Sequence, residues 1–280
     1  MHSVLTSYWN GSLASFHRFP VWLPGNRMAL GDVGVLAPDG WSKSTDLVRL
    51  EVATEADAPG APSDYDHSDG ASLSFVTGAS AGAVEAPWLP SGHVGLRLDF
   101  TRAGAFVLKA KGVRVARIGN LAEVESDVLD LYRRGLWRRE WVLVTEVAVG
   151  GPVIVVVARE SGARAVVDLG AEAVAGGLDL GRVRGSLGVG SRHGLAAQFA
   201  TRERSAVLWR GMYVSDGLIG GAKLKHRGDE DTAGRWGRRP PRDAGAPELY
   251  LTEPQDLREI LAAPEPEPEP EADAGSEPEL

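Results

Sequence analysis

Apolar positions recur at helical spacing in one stretch of the chain and at strand spacing through much of the rest. Leu121, Val124, Val128, Leu131 and Tyr132 keep a helical period, and Gly135, after Arg133 and Arg134, supplies a stop signal. Trp141–Val149, Pro152–Ala158 and Ala163–Leu169 follow as three runs rich in β-branched residues, broken by Gly150-Gly151-Pro152 and Ser161-Gly162. Upstream, Val94, Leu96, Leu98 and Phe100 alternate with Gly95, Arg97 and Asp99. Phe106, Leu108 and Ala110 alternate with Val107, Lys109 and Lys111, and the intervening Thr101–Gly104 predicts a hairpin. Downstream, Val183, Leu187 and Val189 alternate with Arg182, Arg184 and Ser186, and Leu195–Ala200 and Ala206–Val214 read as two more strands.

The remaining pattern is weaker. Tyr8, Trp9, Phe16 and Phe19 predict a short opening helix, and Pro20 and Pro24 an extended path after it. Leu30–Leu36 reads as a strand closing on the turn Pro38-Asp39-Gly40. Leu47–Val52 reads as another strand, Thr54–Gly70 as a loop, and Leu73–Thr77 as a short strand. The predicted class is α+β: a mostly antiparallel twisted β-sheet with a few flanking helices and a disordered acidic C-terminal tail.

Residues 1–219 form one β-rich domain in this reading, and 220–246 a basic Gly/Arg/Pro linker. Residues 247–263 make a short docking peptide. Leu249 and Leu251 lie on an extended piece of it, and Leu257, Ile260 and Leu261 on one side of a helix begun by Pro254. Residues 264–280 are a Pro–Glu tail too poor in apolar surface to fold.

A chain of 280 residues is long enough to bury a sizeable core, and its 35 glycines argue against a helical bundle. The absence of cysteine excludes disulfides, thiolate chemistry and thiolate metal sites, and fits a cytoplasmic protein. The N-terminus has no basic region leading into an apolar core, and no apolar run of about 20 residues exists, so a protein soluble as made is expected. The net charge of −8 is unevenly placed: residues 247–280 hold eleven acidic residues and one basic, about −10, which leaves the rest near +2. Lys223, Lys225, Arg227, Arg235, Arg238, Arg239 and Arg242 make the linker basic despite Asp229, Glu230 and Asp231.

Candidate chemistry is sparse. Gly78-Ala79-Ser80-Ala81-Gly82 after a strand matches the nucleophile elbow, and GASAGA resembles the serine motif of patatin-type lipases, with Asp216-Gly217 as the partner. An elbow needs a helix directly behind it, and Pro87 and Pro90 leave room for a turn or two. Gly185, Gly188 and Gly190 have the wrong spacing for a dinucleotide fingerprint and read as glycines of a bent strand or turn. No histidines pair at metal-ligand spacing. Asp64, Asp66, His67 and Asp69 form a solvated acidic loop with at most weak cation affinity. Glu140 and Glu146 are isolated carboxylates. Arg133, Arg134, Arg138 and Arg139 around Trp137 and Trp141 suit either nucleic acid or anionic lipid headgroups, or are cations at a helix C-terminus. No cofactor or metal is expected.

One family resemblance emerges. The helix, Arg133-Arg134-Gly135, the string WVLVTEV at Trp141–Val147, two further strands and the turn Arg159–Arg164 resemble the pore-forming domain of gasdermins. Gly176–Val214 corresponds to that domain's glycine-rich segment and final β pair, and Leu30–Val52 to its beginning. The resemblance implies a non-enzymatic pore former, monomeric and cytoplasmic when inhibited. It implies a homo-oligomer at the inner membrane when active, in bacterial cell-death defence. Its partners would be an anionic lipid membrane after activation and an activating protease, not nucleic acid. Arg133, Arg134, Trp137, Arg138 and Arg139 become the lipid-binding candidates. Leu249, Leu251, Leu257, Ile260 and Leu261 become an autoinhibitory peptide, and Arg235, Arg238, Arg239 and Arg242 mark the cleavage linker. Barrel hairpins after refolding would come from Val94–Lys111 and Ala163–Val189. Bacterial members usually carry a lipidated N-terminal cysteine, which this chain lacks. Two other readings stand beside it: a soluble non-enzymatic binding or scaffold protein whose acidic tail engages a basic partner, and a Ser80–Asp216 hydrolase.

Overall fold

The computed structural model describes residues 2–22, 26–37, 40–77, 89, 91–170, 188–217 and 248–252. Helix α1 (His2–Phe16) opens the chain, followed by the two-residue strand β1 (Phe19–Pro20) and the hairpin β2 (Asp32–Ala37) and β3 (Gly40–Asp46). Next come β4 (Ser63–Asp69), β5 (Ala71–Thr77), β6 (Val94–Phe100), β7 (Phe106–Arg117) and α2 (Leu121–Arg133). The chain continues through β8 (Trp141–Gly150), β9 (Val153–Ala158), β10 (Arg164–Asp168), β11 (Gly188–His193), β12 (Leu195–Thr201), β13 (Ser205–Gly217) and β14 (Glu248–Thr252). Among the described residues the strands build a ten-stranded and a four-stranded sheet, neither of them closed. Every pairing is antiparallel, the class the patterning predicts.

The registers reveal a longer unit than any single strand. β4 and β5 pair with β7 and β6; β7 and β6 pair with β9 and β10; β9 and β10 pair with β12 and β11. β8 and β13 prolong the last two segments, paired with each other. Segments 63–77, 94–117, 141–168 and 188–217 therefore lie side by side in that order as two long hairpins, joined by the β7–β9 and β6–β10 ladders. Their proximal halves belong to the large sheet. Their distal halves, β5, β6, β10 and β11, are the small sheet.

The ribbon is bent so that its distal half packs on its proximal half. Leu96, Leu98, Phe100, Ala165 and Val167 meet Val107, Ile154 and Val156 in one buried cluster. The other face of the proximal half, with Phe106, Leu108, Val153, Val155 and Val157, packs against Val4, Leu5, Tyr8 and Trp9 of α1. β9 is thus covered on both sides, which is why it reads VIVVVA with no alternation. α2 packs Val124, Val128 and Leu131 on Val33, Leu143 and Val214. It ends as predicted: Gly135 takes φ +71°, its N–H donates to Tyr132, and that of Leu136 donates to Leu131.

Three expectations are corrected. Leu47–Val52 is a turn, closed by Leu50 N–H to Asp46 and Val52 N–H to Leu47; its Leu47 and Val52 are apolar because they pack under α2. The second strand of that hairpin is instead the polar Gly40–Asp46. Thr54–Gly70 contains the strand β4, whose acidic residues bond cationic side chains on and beside β7. β6 and β7 are strands, but they do not pair with each other; Thr101–Gly104 carries the chain from the small sheet to the large one.

Candidate functional site

The distal half of the ribbon is amphipathic. Leu73, Leu98 and Ala165 stand in one register row, and Phe75, Leu96 and Val167 in the next, on the side facing the proximal sheet, although Phe75, on the edge strand β5, is 39% exposed. The opposite side carries Ser72, Ser74, Arg97, Asp99, Arg164 and Asp168, apart from a small apolar patch of Val76, Leu89 and Val166. Its charges are paired. Asp99 bonds Arg97 at 2.8 Å and Arg164 at 3.1 Å, the latter across the boundary between the two hairpins. At the far end, His93 Nδ1 lies 3.1 Å from Asp168, whose carboxylate also accepts from Gly170 N–H at 2.8 Å.

On the proximal half, the predicted acidic loop is a cross-strand ladder of ion pairs. Lys111 Nζ lies 2.6 Å from Asp64, Lys109 donates to Asp66, and Arg102 bonds Asp69. Lys111, and then the Gly112 amide, hold the Asp64 carboxyl below the usual carboxylate range. Among the described residues no group of three His, Asp or Glu is placed to hold a metal ion.

β13 has its outer edge covered twice. Phe19 and Pro20 of β1 pair opposite Trp209 and Leu208. Further along, β14 pairs from Thr252 opposite Tyr213 to Glu248 opposite Gly217, with Leu251 opposite Val214 and Leu249 opposite Asp216. β14 also lies beside α2. Leu257, Ile260 and Leu261 of the expected peptide, and Arg235, Arg238, Arg239 and Arg242 of the expected linker, fall outside the described residues.

Glu146, expected to stand alone, is buried on β8 and accepts from both Arg18 and Arg117, the latter at 2.7 Å. A buried carboxylate survives only with such partners. Arg18 sits just past α1, and its main-chain oxygen accepts from Ser12. The pair therefore fastens the helix end to the sheet. Sequence reading missed this because its partners lie 128 and 29 residues away.

The remaining candidates are placed individually. Trp137 is buried edge-on to Trp141, and Arg138 lies over the Trp141 ring at 5.7 Å. Arg133 bonds Asp130 one turn back, and Arg134, the C-cap of α2, opens on a groove shared with Arg49, Asp127 and Asp130. Arg139 follows in the exposed connection to β8. Asp216 is a strand residue of β13, while Ser80 lies outside the described residues.

No family model matches the sequence, and no curated protein matches it. Among solved structures the chain is similar to the membrane pore of gasdermin A3. That match has 8% identity over 81% of this chain and 96% of that one, at a TM-score of 0.32. It is also similar to a bacterial gasdermin from Bradyrhizobium tropiciagri, with 12% identity over 74% of this chain and 86% of that one, again at 0.32. Identity and TM-score this low carry no functional argument, so function has to come from the chain's own geometry. Among the described residues no helix is long and apolar enough to cross a membrane.

Proposed function

We propose that the protein is a non-enzymatic pore former, held inactive by its own C-terminal segment and released by proteolysis. One observation supports this above all: an amphipathic four-stranded ribbon, bent so that most of its apolar side is covered, with Phe75 left exposed at the edge. A barrel strand crosses a bilayer with about 9–11 residues, apolar on one side and polar on the other. The four segments exceed that length, and the ion-paired side of the distal sheet suits a water-filled lumen. Straightened, the ribbon would present Leu73, Phe75, Leu96, Leu98, Ala165 and Val167 to lipid.

The regulatory part rests on β14. A strand added from the C-terminus to an otherwise open edge blocks pairing with a neighbouring copy. Cutting within 220–246 would release residues 247–263 as the inhibitory peptide, together with the acidic tail of residues 264–280, about −10 in all. The body, residues 1–219, carries about −1 and would be near neutral to basic only with the linker residues it retains, which would draw it to anionic lipid. Arg133, Arg134, Arg138 and Arg139 are its lipid contacts in this reading. The monomer is cytoplasmic, and the oligomer sits in the inner membrane in bacterial cell-death defence. Dye release from anionic liposomes after cleavage in 220–246, with intact protein as control, tests the proposal. Silence from both forms refutes it.

A further inference from the structure

All four long segments bend at one level, and at each bend stands a glycine with positive φ: Gly70 at +65°, Gly104 at +73°, Gly162 at +78° and Gly194 at +78°. Hydrogen bonds run across the ribbon at this level, tying each bend to the next. Thr101 N–H donates to Gly70 at 2.9 Å, Gly104 N–H to Ala158 at 2.9 Å, Gly162 N–H to Phe100 at 2.8 Å, and Arg159 N–H to Gly194 at 2.6 Å. Beyond the line, the β6–β10 ladder and the His93–Asp168 contact join the two hairpins, so neither is free to swing alone.

We propose that these four glycines form a single hinge line, about which the two hairpins straighten together as one ribbon. This rests on the pore-forming reading above. The bend requires left-handed backbone in every segment, whereas a straight strand requires none. Glycine adopts both at little cost, so the backbone at the hinge line is strained in neither the bent nor the straight state. Gly162 isolates the effect, because a Cβ built there meets nothing within 4 Å. An alanine at that position strains only the bent state. Gly104 is a poorer probe: its Cβ would lie 2.4 Å from Ser7 Cβ on α1, so substitution disturbs the helix as well.

The chain has no native cysteine, so nitroxide labels can be placed at Ser63→Cys and Thr77→Cys, exposed positions at opposite ends of the first segment. Fourteen residue steps of straight strand span about 46 Å. The full chain is cleaved in 220–246 on anionic liposomes, and label distance and dye release are read together. A move of the label pair to about 46 Å with leakage supports the hinge. So does Gly162→Ala speeding both by roughly 5- to 10-fold, provided Gly162→Asn, which tolerates left-handed backbone, stays near wild type. Leakage with an unchanged label distance overturns the hinge but leaves the pore reading intact. Neither leakage nor lengthening overturns both. If Gly162→Asn matches Gly162→Ala, the effect is not conformational and the hinge fails.

Discussion

Arg18 donates to the buried carboxylate of Glu146, 128 residues further along the chain. The bond ties the end of α1 to β8, and Arg117 bonds the same carboxylate from β7. Removing the carboxylate leaves Arg18, itself largely buried, without its counter-charge. Glu146→Ala should cost roughly 3 kcal/mol, at the lower end for a broken buried pair because Arg117 is more than half exposed. Glu146→Gln should cost less. Urea denaturation checks both, and proteolysis after Phe16 should be faster in the alanine variant.

Leu98 is fully buried where the distal sheet packs on the proximal one. Leu98→Ala should destabilise the bent state by about 2–5 kcal/mol through lost burial and the cavity left behind. In the proposed pore the same side chain faces lipid, where the loss is smaller. Thermal unfolding should therefore drop, while dye release by cleaved protein becomes faster rather than slower.

β14 shields the outer edge of β13 from Tyr213 to Gly217. A chain ending before Glu248 should exchange the amides of that stretch faster, by hydrogen exchange. It should also self-associate at concentrations where the full chain stays monomeric by sedimentation. Equal exchange in both forms would show that β14 protects nothing.

Acid should loosen β4. Lys111 first, and the Gly112 amide second, favour ionised Asp64, so its folded pKa lies below its unfolded one. The pair contributes stability above the unfolded value, about 3.9. That contribution is lost as pH falls through the lower folded value. Hydrogen exchange in residues 63–69 should rise in that window, and Asp64→Asn should flatten the dependence.

Much of the strand inventory was legible because two-residue alternation and β-branched runs report local geometry, as in Val94–Phe100 and Trp141–Gly150. The α2 helix was legible for the same reason, with Gly135 as its stop. Pairing was not. The short Thr101–Gly104 connection looks like a hairpin turn, and only contacts with residues 158–163 show that it crosses between sheets. β4 escaped because an exposed edge strand needs no apolar residues once Lys109 and Lys111 neutralise its acids. The strand-forming leucines of the C-terminal peptide were visible; their partner strand, more than 30 residues upstream, was not.

In the proposed pore, the side of the ribbon that faces the proximal sheet becomes the lipid-facing wall. Single cysteines at Ser72, Leu73, Ser74 and Phe75, each carrying an environment-sensitive dye, can be read on liposomes containing quencher-labelled lipid tails. After cleavage in 220–246, the account predicts strong quenching at Leu73 and Phe75 and little at Ser72 and Ser74. Uniform quenching, or none at any of the four, would contradict it.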